Sequence, residues 1–86
     1  MEDFQGQLLK EGQVFIEQVQ GRMMVDLGPN GEQYWSGFFP VPEGHVVQLD
    51  DEFDMILANG RSNRVRIERV NAMGPSLVAS FSTVRM

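Results

Sequence analysis

The sequence predicts a mainly β fold, a small antiparallel barrel or roll of five to six short strands, in one domain covering residues 1–86. Turn-forming residues recur at intervals of about 8–12 residues, the spacing expected of a meander of short strands. Most segments between these turns alternate apolar and polar residues, as strands with one buried face do. The length of 86 residues suits a single thin core. These observations together indicate one small all-β domain.

The N-terminal segment, residues 4–20, fits two templates. Its apolar side chains fall on one helical face, which favours a short helix capped by Asp3. Gly6 and Gly12 would lie inside that helix, and each costs about 1 kcal/mol relative to Ala. We therefore prefer two strands, although the short helix stays open. The strand interpretation has a turn at residues 10–12, a second strand at residues 14–19 and a break at Gln20 and Gly21.

A hairpin in the first half of the chain joins an alternating strand, residues 23–27, to an aromatic strand, residues 33–41. The turn between them, residues 28–31, contains a Pro with fixed φ and residues that tolerate positive φ. Gly37 inside the aromatic strand predicts a bulge, a sharp bend or a place where something approaches the backbone. Pro40 has no backbone N–H, and we therefore expect the strand pairing to end near it.

The second hairpin, residues 53–70, bends at Asn59 and Gly60. Residues directly opposite each other in an antiparallel pair share a face. A two-residue loop would set Met55 opposite Arg64, which places apolar side chains against charged ones. A three-residue loop restores apolar-to-apolar pairing, with Gly60 free to adopt a positive φ. We predict such a loop, at residues 58–60 or 59–61.

The three-residue loop has a consequence for the charges of this hairpin. It sets Asp54 opposite Arg64 or Arg66 on the solvent side. Exposed ion pairs of this kind are worth about 0–1 kcal/mol, so they help to define the register more than the stability. We therefore interpret much of the charge in this hairpin as pairing between its own strands.

A turn at Gly74 and Pro75 precedes a closing strand, residues 77–84. The resulting outline of five or six short antiparallel strands resembles SH3-like and OB-like barrels. Such scaffolds host many unrelated functions, and the resemblance in outline implies no activity.

Composition excludes several classes of function. The chain has no Cys, which rules out disulfides, thiolate metal sites and Cys nucleophiles and favours a reducing compartment. It opens without a basic and then apolar leader, and no apolar run approaches the ~20 residues that span a bilayer. We therefore expect a cytoplasmic location and no membrane partner. The net charge of −5 disfavours a polyphosphate partner.

His45 is the only histidine, and the chain offers few other catalytic groups. A Ser-His-Asp relay needs a suitably presented serine, and no serine lies in a nucleophile-elbow sequence. The acidic run at residues 50–52, with Asp54, lacks the alternating ligands of a calcium loop. We interpret His45 as a loop residue and candidate polar contact, and the acidic run as a solvated turn. No metal, cofactor or catalytic residue is expected.

Basic side chains on the second hairpin suggest a nucleic-acid surface as one alternative. A basic groove combined with aromatic platforms is typical of barrels that bind single strands. Glu68 interrupts the series and the whole chain is acidic, so we rank nucleic acid below other partners. The basic residues concerned are Arg61, Arg64, Arg66 and Arg69, and we also consider the first three as possible polar contacts.

The aromatic strand is the favoured contact region, through Tyr34, Trp35, Phe38 and Phe39. Successive side chains of a strand point to opposite faces, so each aromatic pair sends one ring inward and one outward unless Gly37 forms a bulge. An outward ring needs a cover, such as the N-terminal segment or a second subunit. We expect a non-enzymatic module that contacts another protein or forms a homo-oligomer. The alternative is a small-ligand or catalytic site at an oligomer interface, using Tyr34, Trp35 and His45.

Overall fold

The computed structural model describes residues 1–85, which form six antiparallel strands and no helix. The strands close a barrel in the order β1–β2–β3–β6–β5–β4, which confirms the predicted small antiparallel barrel. None of the described residues forms a helix long and apolar enough to cross a membrane. The strands are β1 (Glu2–Lys10), β2 (Gln13–Leu27), β3 (Gln33–Pro40), β4 (Glu52–Leu57), β5 (Ser62–Met73) and β6 (Ser76–Thr83).

The N-terminal segment consists of strands, and the helical alternative is wrong. β1 and β2 pair as a hairpin around Glu11 and Gly12, as the strand interpretation predicted. The predicted break at Gln20 and Gly21 is also wrong, because β2 continues through both residues. A side chain at Gly21 would collide with the backbone carbonyl of Phe38. This glycine therefore permits a close crossing of two strands and does not end one.

Gly37 has a similar role in β3. It pairs with Met23 on one side and Phe81 on the other, and no register shift interrupts these ladders. A Cβ at this position would overlap the carbonyl oxygen of Arg22 and would lie 2.8 Å from the Cβ of Met23. Of the three predicted explanations, a close approach to the backbone is correct, and the approaching segment is β2. Side chains on the two sides of Gly37 therefore keep the regular inward and outward alternation of β3.

The β4–β5 hairpin has the predicted register. Phe53 lies opposite Val65 and Asp54 opposite Arg64. The N–H of Leu57 donates to the carbonyl of Arg61 at 2.7 Å, which leaves residues 58–60 as the loop. Gly60 in this loop has a φ of 90°, where a residue with a Cβ is strained. The apolar alternation of the two strands was sufficient to select a three-residue loop.

The two ends of the barrel differ. One end, which we call the hairpin end, holds the β2–β3 and β4–β5 turns, since Gly6 near the start of β1 pairs with Leu57 at the end of β4. The other, the loop end, is covered by residues 41–51. This long loop inserts Val47 into the core and is held at its start by a hydrogen bond from the Val41 N–H to the Leu77 carbonyl.

Candidate functional site

The side chains of β3 divide between the core and the outer wall of the barrel. Trp35 is 2% exposed and Phe39 is fully buried, whereas Tyr34 and Phe38 are half-buried and point outward. One ring of each aromatic pair is thus inside, as predicted for a strand without a bulge. Because Trp35 and Phe39 are buried within a single chain, only the other two rings of the predicted contact set are placed to meet a partner.

Trp35 is fixed from several directions. Its Nε1 donates to the side-chain oxygen of Gln33 at 3.2 Å, and its backbone N–H donates to the Thr83 hydroxyl at 2.7 Å. The guanidinium of Arg61 donates to the same Gln33 oxygen at 2.6 Å and lies 5.6 Å from the indole centroid. Arg61 therefore packs on the tryptophan as part of the scaffold.

A shallow groove crosses the outer wall beside Tyr34, and we call it the serine groove. Ser36 and Ser82, which pair with each other, form part of its floor, and the Glu68 carboxylate accepts a hydrogen bond from the Ser82 hydroxyl there. On one side the Arg85 guanidinium stacks 4.2 Å from the centre of the tyrosine ring. The groove has a volume of about 350 Å³. The groove is therefore polar, with charged side chains beside the serines.

Phe38 lines a second groove, of about 370 Å³, on the same face of β3. Pro40 and Gly21 also line it, so its walls are largely apolar. Arg22 and Asp3 border it as an ion pair with an Nε–Oδ1 distance of 3.3 Å. The two outward rings of β3 thus each contribute to a separate depression on one continuous wall.

Two arginines of the β4–β5 hairpin are engaged by carboxylates. Arg64 contacts Asp54 at 3.1 Å and Glu52 at 3.2 Å, and Arg66 contacts Glu52 at 2.8 Å. Hydrogen bonds from Arg66, which has the larger effect, and from Arg64 lower the pKa of Glu52 below its ordinary value. The expected pairing of Asp54 with an arginine is confirmed, with Arg64 as the partner. Two of the three arginines considered for polar contact therefore already have anionic partners.

His45 lies in the loop at the loop end, as the sequence indicated. Its ring meets Phe15 edge-on, with 6.2 Å between the ring centres. Its Nδ1 is buried and has no hydrogen-bond partner among residues 1–85. A catalytic histidine is normally oriented by a carboxylate or carbonyl at this nitrogen. The observed packing fits a loop residue that packs edge-on against Phe15 at the margin of the core.

The acidic run is also part of the loop structure. The Asp51 carboxylate accepts a hydrogen bond from the Gln48 N–H at 2.9 Å and pairs with Lys10 at 3.3 Å. The Asp50 N–H donates to the Ile67 carbonyl at 2.8 Å, which fastens the loop to β5. Within the described part of the chain, no group of three His, Asp or Glu side chains could hold a metal ion.

Tyr34, Trp35 and His45 are not brought together. The tyrosine sits near the start of β3 at the hairpin end, while the histidine belongs to the loop at the opposite end. Sequence reasoning also missed the serine groove, whose floor requires β3 and β6 to be neighbours. The alternation of Ser80 and Ser82 with buried residues of β6 was the only signal, and by itself it indicates no groove.

The chain was compared with protein-family models, curated proteins and solved structures, and no significant match was found in any of the three. Functional inference for this protein therefore depends on its own side chains and their geometry.

Proposed function

We propose that the protein is a non-enzymatic module that contacts another protein, or a second copy of itself, through the outward face of β3. The observation that supports this is the placement of Tyr34 and Phe38 on one wall of the barrel, on either side of Ser36. Aromatic side chains are enriched in protein interfaces because they bury much apolar area with few rotatable bonds.

The neighbouring strand extends this contact surface. Met24 of β2 pairs with Ser36 and is 46% exposed, so a flexible apolar side chain lies beside the two rings. Methionine adapts to differently shaped partners and is common at binding surfaces. Ser36, which lies between the rings, is small and leaves space for a side chain of the partner, and Arg22 and Arg85 provide polar contacts at the margins.

The experiment compares wild-type protein with Tyr34→Ala and Phe38→Ala variants, by affinity capture and by analytical ultracentrifugation. We expect each variant to fold and to lose the captured protein or the self-associated species. Gln18→Ala is the matched control, because Gln18 is an exposed residue of β2 outside the contact surface. Capture and sedimentation that are the same in the wild type and all three variants would refute the proposal.

A further inference from the structure

One edge of β5 carries backbone groups that the barrel does not use. β4 pairs with β5 as far as Arg66, and the loop continues this pairing to Ile67, whose N–H donates to the Asp51 carbonyl at 2.8 Å. Beyond the bulge that follows, residues 69–73 pair only with β6. We call the opposite side of this segment the β5 edge.

The direction of the backbone groups follows from a hydrogen bond on the other side of the hairpin. The Leu77 carbonyl accepts from the Val41 N–H at 2.8 Å and therefore points away from β5. In an antiparallel pair, the N–H and C=O of one residue point to the same side of its strand. Two facing residues direct these groups either both toward each other or both away from each other. Ala72, which faces Leu77, must direct both groups to the free edge, as must Val70 two residues earlier. Neither residue has a hydrogen-bond partner there within residues 1–85.

The β5 edge is short and begins at a bulge, but it lacks three other features that protect exposed edges. Natural proteins guard them with Pro, with several charges or with a covering segment. Residues 69–73 contain no Pro and a single charge, Arg69. Met73 at one end is 64% exposed, and Leu49, which precedes the loop residue bonded to Ile67, is 62% exposed. An added strand would satisfy the backbone and cover apolar surface together.

We propose that the β5 edge pairs antiparallel with the same edge of a second copy, about a two-fold axis at Asn71. In this register Val70 faces Ala72 of the second copy, and Ala72 faces its Val70. Both pairs have their backbone groups directed at each other, so each pair exchanges two hydrogen bonds. Val70 and Ala72, the facing side chains of each pair, lie on the same face of the joined sheet.

The edge is self-complementary in this register, which is why we infer a second copy as its occupant. Arg69 faces Met73 of the second copy, so no like charges lie opposite each other in the register that forms the most hydrogen bonds. A two-fold contact of this kind is self-complementary and closes at two chains. The two chains each carry a net charge of −5, and this repulsion is screened by salt. We expect dimerisation to strengthen as salt is raised from low to moderate concentration.

This dimer is independent of the contact proposed for β3, because it uses neither Tyr34 nor Phe38. Sedimentation equilibrium of the full chain over a range of concentrations tests it. Ala72→Pro removes an edge N–H that β6 does not use, and we expect the dimer dissociation constant to rise at least about tenfold. Ala72→Thr keeps the N–H and favours a strand, so this matched control should dimerise as the wild type does.

A second variant protects the test against a proline that disturbs folding. Asn71→Asp would place two carboxylates opposite each other across the axis, whereas Asn71→Ser leaves the axis uncharged. We expect Asn71→Asp to dissociate at low salt and to recover as salt is raised, and Asn71→Ser to remain dimeric. Far-ultraviolet circular dichroism checks that all variants fold.

Two results would overturn the proposal. One is a wild-type protein that is monomeric at every concentration and salt level. The other is a dimer that persists in both Ala72→Pro and Asn71→Asp. If that persistent dimer is instead dissociated by Phe38→Ala, self-association belongs to β3, and the proposal for that strand stands without this one.

Discussion

The β4–β5 hairpin and the aromatic strand β3 concentrate different side chains and use them differently. The hairpin gathers arginines, yet Arg64 and Arg66 are occupied by carboxylates of the same hairpin. The strand gathers aromatic rings and divides them between the core and the outer wall. A cluster whose members satisfy each other is part of the scaffold. A cluster that leaves members facing solvent is the better candidate for contact with another molecule.

The largest effect should separate the two halves of β3. Trp35→Ala should lower the free energy of unfolding by about 3–5 kcal/mol, because it removes a buried ring and leaves a cavity. Tyr34→Ala, on the outward face of the same strand, should lower it far less. Urea denaturation followed by circular dichroism measures both. Equal losses in the two variants would mean that the inner and outer halves of β3 are not distinct in energy.

A smaller effect is expected where β3 approaches β2. Gly37→Ala adds a methyl group that must overlap the Arg22 carbonyl and press on Met23, so the strands have to move apart. Overpacking of this kind typically costs about 1–3 kcal/mol. Ser36→Ala is the matched control, because its side chain lies on the outer wall. Thermal denaturation should show a clear loss for the glycine variant and little change for the serine one.

The structure of some regions could be predicted from the sequence and that of others could not, for a physical reason. The hairpin register was predictable because a strand has a period of two, so alternation of Phe53, Met55 and Leu57 allows only loops of one parity. The division of the aromatic rings followed from the same period. The wrong break at Gly21 arose because a glycine at a turn and one at a strand crossing look alike in a sequence.

The remaining features depend on contacts between distant parts of the chain. Closure of the barrel pairs β1 with β4, and the serine groove needs β3 beside β6. The β5 edge is unpaired only because β4 and the loop stop pairing with β5 at Ile67. No local pattern of residues in the sequence indicates any of these features. Loop burial is similar, since Val47 enters the core while its neighbour Val46 stays 68% exposed.

The smallest effect concerns the charges of the hairpin and has a definite pH dependence. The pKa of Glu52 is lowered in the folded protein by hydrogen bonds from Arg66 and Arg64, so its ionised form favours the folded state. This stabilisation is fully present above the ordinary value of 4.5 and is lost as the pH falls through the lower folded value. Because the pairs are exposed, Glu52→Gln should cost much less than the two preceding substitutions.

The difference in unfolding free energy between the wild type and Glu52→Gln should therefore shrink as the pH falls below 4.5, and also as salt is raised. Urea denaturation at a series of pH values measures this difference. Glu17→Gln is a suitable control, because Glu17 is an exposed carboxylate on β2 away from the hairpin. A difference that is constant with pH would show that Glu52 acts on stability by packing. The ion pairs of Glu52 with Arg64 and Arg66 would then not contribute to the stability of the hairpin.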